Sequence, residues 1–315
     1  HADRVARLAP LTRQSGEMRE PVTVACAQVE PVLFDRDATI GRIEEVAAET
    51  AAKGAQLVLF PETFVPAYPT NRWVRYLAGG DGDAKHVFAR LARESLEVPS
   101  PASERIGAAA REHGLWLAVG ANELDRGTVY NALLLYGPDG QLALHHRKLV
   151  PTNHERMVWG PGDGRGLEAV ETDLGRVGGL ICWENFMPLA RFALYESGVE
   201  LYLAPTAEDS EQWHDSIRHI ARESRAFVLS CCVFQRASSF PDDVPLAEGD
   251  ELVGRGGSAI LAPDGSYLAG PLWGEEGLLY AGLDPELLFA ERQRFDAAGH
   301  YHRPDVLGFE LRPLR

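Results

Sequence analysis

Residues 115–150 read LWLAVGANELDRGTVYNALLLYGPDGQLALHHRKLV, and this stretch decides the fold class. Its three apolar runs, LWLAVGAN, VYNALLLY and QLALHHRK, have the length and composition of strands. Gly137-Pro138-Asp139-Gly140 between the last two is a hairpin turn signal. The flanking sequence has a different rhythm. VTVACAQV (22–29) is predicted as a strand, and Ile40, Ile43, Val46 and Ala47 repeat with helical spacing up to Gly54. QLVLF (56–60) is an unbroken apolar strand of the kind buried on both faces. Ser100-Pro101 supplies an N-cap and a first-turn proline for a helix to about His113. Downstream, VETDLGRVGGLIC turns and then runs as strand to Cys182, with a helix expected from there to about Ser197. LYLAP, a helix over 211–225 and the strand FVLSCCVFQ follow; GGSAILAPDGSYLAGP is a second hairpin, and DPELLFAERQRFD a last helix. Strand–helix–strand units mixed with hairpins predict an α/β chain with two mixed sheets, each carrying helices on its outer face. No linker or repeat divides it, so residues 21–315 read as one domain. Residues 1–20 are set aside as an N-terminal extension, Met18 being a candidate natural start after an expression remnant.

Composition narrows the function classes. The 315 residues are 45% hydrophobic and 24% charged, which excludes a disordered, collagenous or disulfide-scaffold chain. Lys and Arg number 31 against 46 Asp and Glu, and a net charge of −15 would repel a phosphate backbone, so no nucleic-acid partner is expected. No apolar run reaches the ~18 residues of a membrane span, and the first residues lack the apolar core of a secretory signal. Cys26, Cys231 and Cys232 lie inside apolar runs and read as buried, reduced thiols; with no CxxC pair, a reducing cytoplasm is the expected location.

Three polar residues stand where an apolar strand ends. Glu62 follows Pro61 in LVLFPETF: it is either a solvated loop acid or a carboxylate held at the rim of the sheet, where α/β sheets bind ligands. Lys148 in LALHHRKLVPT is either part of a basic patch or a partly buried cation beside a developing negative charge. Cys182 in RVGGLICWENFMP is either a small core residue or a nucleophile. A helix N-terminus after it would favour the thiolate, and Gly178 and Gly179 allow close backbone approach. No metal site is expected. His145 and His146 face opposite ways on a strand, His214 and His219 are off the i, i+4 face, and most histidines read as surface residues. WGPGDGRG (159–166) lacks the GK[ST] of a phosphate loop, and there is no G-x-S-x-G elbow.

Taken together, PETF with Glu62, HRKLVPTNHER with Lys148 and ICWENFMP with Cys182 resemble, in their order, the Glu–Lys–Cys segments of the nitrilase superfamily. The resemblance extends over roughly 22–310 and includes GVELYLAPTA, GGSAILAPDG and YHRPDVL. It is strongest to true nitrilases, through Cys182-Trp183-Glu184 and the stretch from Pro151 to Gly164. It implies a four-layer αββα sandwich that hydrolyses a carbon–nitrogen bond with neither cofactor nor metal. Cys182 would attack a small nitrile, Glu62 would move protons, and Lys148 would stabilise the tetrahedral charge. Glu155 matches a second carboxylate of the family, orienting Lys148 or the water; a structural ion pair with an arginine is the alternative. Tyr68, Trp159 and Trp183 are candidate substrate-binding residues, or else core. An amidase or N-carbamoyl hydrolase with the same triad is the competing enzyme, and a non-catalytic scaffold is contradicted by the complete triad. The resemblance also implies a homo-oligomer, a dimer or larger spiral, with the apolar positions of 186–198 as a candidate face.

Overall fold

Inward and outward side chains alternate along nearly every central strand, and that alternation sorts the core into three layers. In this computed structural model, which describes residues 17–68, 82–242, 244 and 251–313, two sheets face each other. The six-stranded sheet has the order β13 (Gly277–Leu283), β1 (Val22–Gln28), β2 (Leu57–Leu59), β3 (Trp116–Asp125), β4 (Thr128–Tyr136), β5 (Leu142–Arg147). The seven-stranded sheet runs β10 (Phe234–Arg236), β11 (Leu252–Leu261), β9 (Phe227–Cys232), β8 (Leu201–Thr206), β7 (Gly175–Gly179), β6 (Val170–Thr172), with β12 (Tyr267–Trp273) on β11. Both sheets are mixed: β1, β2 and β3 are parallel, as are β7, β8 and β9, while hairpin strands flank them antiparallel.

Cys26, Leu57, Leu59, Leu133 and Leu135 from one sheet meet Val177, Leu201, Leu203, Phe227 and Leu229 from the other in the central layer. Their outward neighbours Ala25, Val58, Phe60, Leu117 and Leu134 pack with Ile40, Ile43 and Val46 of the helix Arg36–Ala52, and with Ile106 and Ala110 of Pro101–His113. On the other side, Tyr202, Ala204 and Val228 pack under the helices Pro188–Glu196 and Glu211–Ser224. The order helix, sheet, sheet, helix is the four-layer αββα sandwich. Period-2 burial within each strand is what lets one sheet cover two different layers.

The cap expected at Ser100 forms, reciprocally with Ser103. Asp35 also caps the first helix by accepting from Ala38 N, and Gly114 closes the Pro101–His113 helix in a left-handed conformation. Other features differ from the sequence reading. The helix Gly82–Glu94 and strand β13 were not assigned from sequence. FVLSCCVFQ is broken at Val233: its N–H donates to the Thr206 carbonyl, and the chain then re-pairs with β11 as β10. The last helix spans only Glu286–Arg292. Met18 is buried in the central layer, with its N–H on Glu200, so the packed chain reaches back across the boundary placed at residue 20. Among the described residues no helix is long and apolar enough to cross a membrane.

Candidate active site

Glu62, Lys148 and Cys182 leave the ends of β2, β5 and β7, so the two sheets contribute to one rim. Glu62 is wholly buried. Its loop sits down on β3 because residue 120 is glycine: a Cβ there would come within 2.1 Å of the Pro61 carbonyl oxygen and 2.9 Å of Glu62 Cα. The carboxylate is gripped on both oxygens. Oε1 accepts from Lys148 Nζ at 2.9 Å and Asn131 Nδ2 at 2.7 Å, and Oε2 accepts from the Ala207 backbone N–H at 2.7 Å. Ala207 follows β8, so this last bond crosses from one sheet to the other.

Lys148 is as buried as Glu62, more deeply than the partly buried position expected. Its Nζ also donates to Glu155 Oε2 at 2.8 Å. Glu155 is held in turn by Tyr68 Oη on Oε1 and the Thr152 N–H on Oε2, at 2.8 and 2.7 Å. One ammonium therefore serves two carboxylates, and the alternative of an arginine partner for Glu155 does not apply. Burial pushes the Glu62 carboxyl up; Lys148 opposes this and Glu155 adds to it, so Glu62 lies above the ordinary carboxylate range. Burial works against the Lys148 ammonium, but Glu62, Cys182 and Glu155 outweigh it and raise its pKa.

Cys182 has a left-handed backbone, φ 52°, at the start of a 3₁₀ turn, Cys182–Phe186. A side chain rarely adopts that conformation, and here neighbours impose it. Asn185 Nδ2 donates to the carbonyls of Leu180 and Cys182, and Tyr202 Oη donates to Asn185 Oδ1. The α-helix starts only at Pro188, after the turn, so the continuous helix expected from Cys182 is not formed. Gly179 acts in packing: a Cβ there would lie 2.4 Å from the Leu203 carbonyl oxygen and 3.0 Å from Leu133 of the other sheet.

The surroundings of Cys182 also do not favour the thiolate expected from a helix N-terminus. Burial and then the Glu62 charge push the thiol well above its ordinary value, and Lys148 and the Thr206 side chain only partly offset them. The balance favours the neutral thiol over the thiolate.

A second buried pair lies against the first. His146 Nε2 contacts both oxygens of Glu184, at 2.9 and 3.1 Å, and neither side chain is exposed. Glu184 Oε1 accepts from Leu149 N at 2.8 Å and Oε2 from Ile181 N at 2.9 Å. Leu149 follows Lys148 and Ile181 precedes Cys182, so this carboxylate ties the segments carrying the two residues together. Burial alone would raise Glu184 and lower His146. Their mutual attraction wins, holding the acid below and the imidazole above their ordinary values. His146 is thus an exception to the expectation that most histidines lie at the surface. Asn131, Thr206, Ala207 and the His146–Glu184 pair were the site residues missed; the apolar runs around Asn131 and Thr206 were a signal for those two, and none marked the Ala207 backbone N–H.

Of the candidate substrate-binding aromatics, Tyr68 is buried and bonded to Glu155. Trp159 packs against it at 5.9 Å between ring centroids and gives its N–H to Asn122. Trp183 stands half exposed, its N–H on Glu208 and its ring edge-on to Phe186. Among the described residues no cluster of His, Cys, Asp and Glu could hold a metal ion. Cys26, Cys231 and Cys232 are buried free thiols.

The sequence matches the carbon–nitrogen hydrolase family over residues 23–293. It is 42% identical to nitrilase 1 of Arabidopsis thaliana, over 91% of this chain and 85% of that protein. It is 41% identical to an aliphatic nitrilase of Sinorhizobium fredii, over 90% and 92%. In fold it is similar to Saccharomyces cerevisiae Nit3, described as a member of branch 10 of the nitrilase superfamily. That likeness has a TM-score of 0.71 and 19% identity, covering 92% of this chain and all of the other.

Proposed function

We propose that this chain, which belongs to the carbon–nitrogen hydrolase family, is a nitrilase that converts a small organic nitrile and two waters to the carboxylic acid and ammonia. The observation that carries the mechanism is the Glu62–Lys148–Glu155 network buried at the strand ends that also present Cys182. Glu62 takes the proton of the neutral thiol as sulfur adds to the nitrile carbon, and returns it to the nitrile nitrogen, giving a thioimidate. Water adds with Glu62 again as base. The tetrahedral charge faces Lys148, and ammonia leaves a thioester. A second water repeats the cycle, releasing acid and restoring the thiol. Glu155, itself fixed by Tyr68 and Thr152, keeps the ammonium aimed. Tyr68, which lines the slit beside Glu62, is the aromatic assigned to substrate contact, with Trp159 packed against it and the half-exposed Trp183 a further candidate.

Purified protein incubated with nitriles, the matching amides and carbamoyl amino acids, with ammonia quantified, tests this reading. Nitrile hydrolysis is expected; turnover of amides with no nitrile consumed would replace it with an amidase. The finer setting is a homo-oligomer in a reducing cytoplasm. Phe186 and Leu189 are exposed at the start of the helix Pro188–Glu196, while Ala190, Ala193 and Leu194 are core. Light scattering that finds only monomer would refute the assembly.

A further inference from the structure

Two glutamines are buried near the strand ends, and they differ in one respect. Gln28 uses its whole carboxamide: Nε2 donates to the Leu272 and Glu275 carbonyls, and Oε1 accepts from Gly257 N and Ser258 N. Gln235, 1% exposed, uses none of it: neither Nε2 nor Oε1 has a hydrogen-bond partner. Burying an amide in that condition is costly, and such groups are rare without a reason.

Its surroundings supply one. Gln235 lines a slit too narrow for a water molecule, whose wall includes Glu62, Tyr68, Phe64, Val233 and Phe234. The cleft therefore adjoins the catalytic carboxylate. Its other polar groups are already engaged: Glu62 by Lys148, Asn131 and Ala207, and the Tyr68 hydroxyl by Glu155. The rest of the wall is apolar. Across the strand pair Gln235 faces Gly254, which has no side chain to meet it, and the register slips between Gln235 and Arg236. Gln235 lies in the short strand that follows the break at Val233.

We infer that Gln235 is a specificity-determining residue that reads the non-reacting end of the substrate, selecting nitriles with a small neutral group able both to donate and to accept a hydrogen bond, such as a hydroxyl or a carboxamide. This rests on the nitrilase reading and deepens it. A neutral amide matches a donor–acceptor group on both of its atoms, and the apolar wall covers the intervening carbons. A carboxylate at that end would meet the charges of Glu62 and Glu155. The slit is narrower than a water molecule, so an entering group has to widen it, which favours short substituents.

The test is a pair of variants, Gln235→Leu and Gln235→Met, which keep bulk and remove the amide. Each is assayed with a hydroxyalkyl nitrile and the plain alkyl nitrile of equal length, and with the two corresponding amides. The kcat/KM ratio, hydroxylated over plain, is expected to fall about tenfold or more in both variants. Thermal melts, expected to rise as the unpaired amide is removed, confirm that each variant folds. An unchanged ratio, with both substrates scaled equally, would make Gln235 a structural residue and overturn the proposal. If only amides turn over, the nitrilase reading fails, while the ratio in the amide series still judges Gln235.

Discussion

Glu62 and Glu184 are both buried carboxylates just past strand ends, one on each of the two facing sheets, and they are held in opposite ways. Glu62 shares its one cation, Lys148, with a second acid, Glu155. Glu184 has His146 to itself and two backbone N–H donors besides. The first lies above the ordinary carboxylate range and the second below it. Burial raises both, so burial does not separate them; the number of cations per carboxylate does. An acid short of positive charge is poised to pick up a proton, as a general base must, whereas an acid with charge to spare is a brace. On the proposed mechanism the same fold thus contains a reactive pair and a bracing one, joined through the segments carrying Lys148 and Cys182.

The largest effect should come from removing what the reactive pair acts on. Cys182→Ala is expected to lower kcat by at least ~10⁴-fold with the circular dichroism spectrum unchanged; substantial residual turnover would mean another nucleophile. Next comes Lys148. Arginine keeps the charge, but its planar fork cannot place one compact donor between two carboxylates, so Lys148→Arg should lose at least ~100-fold in kcat, nearly as much as Lys148→Ala. Mass spectrometry of quenched reactions should find little adduct on Cys182. Near-normal rates in the arginine variant would reduce the lysine to bulk charge.

Breaking the brace should show first in stability. Glu184→Gln is expected to cost about 3 kcal/mol in denaturant unfolding, because His146 is left without its counter-charge. Its pH dependence follows from both shifts. The raised His146 contributes fully below its ordinary value of 6.5, and its share is lost as pH rises through the folded value. The lowered Glu184 contributes above its ordinary value of 4.5, and its share is lost as pH falls through the folded value. The groups facing the imidazole are Glu184, Asp163 and the Arg165 carbonyl. The melting gap between wild type and variant should therefore be widest between pH 4.5 and 6.5, and a gap independent of pH would remove the ion pair from the account. A subtler change makes Glu62 resemble Glu184. Glu155→Gln leaves Lys148 to Glu62 alone, so the acid limb of kcat/KM, expected above 4.5 in the wild type, should move to lower pH, with a loss of about tenfold in rate. A limb that stays put would show that Glu155 does not tune the base. The smallest effect belongs to chelation: overnight treatment with a strong chelator should change turnover by less than about twofold.

Much of this was legible beforehand because it lies in contiguous segments. The apolar strands, the capped helix after Ser100 and the three rim residues each announce themselves within a dozen positions. What escaped is set by contacts between distant parts of the chain. The Ala207 N–H reaches Glu62 across the two sheets, and nothing in LYLAPTA marks that donor. Alternation put His145 and His146 on opposite faces of β5, but only the packed structure decides which face is closed. The thiolate was expected from a helix starting at Cys182; the chain instead makes one 3₁₀ turn there, and burial of the thiol opposes its ionisation.

The place of β13 also bears on how the chain is made. Strand β1 lies between β2 and β13, and its antiparallel neighbour is supplied only by residues 277–283. While a ribosome extends the chain at roughly 5–20 residues per second, VTVACAQ waits for tens of seconds with one edge open. It is uncharged and apolar, the kind of edge that recruits strands from other molecules. A chaperone occupying the nascent N-terminal segment, or a slower supply of chains, should therefore improve the soluble yield more than any substitution at the catalytic rim.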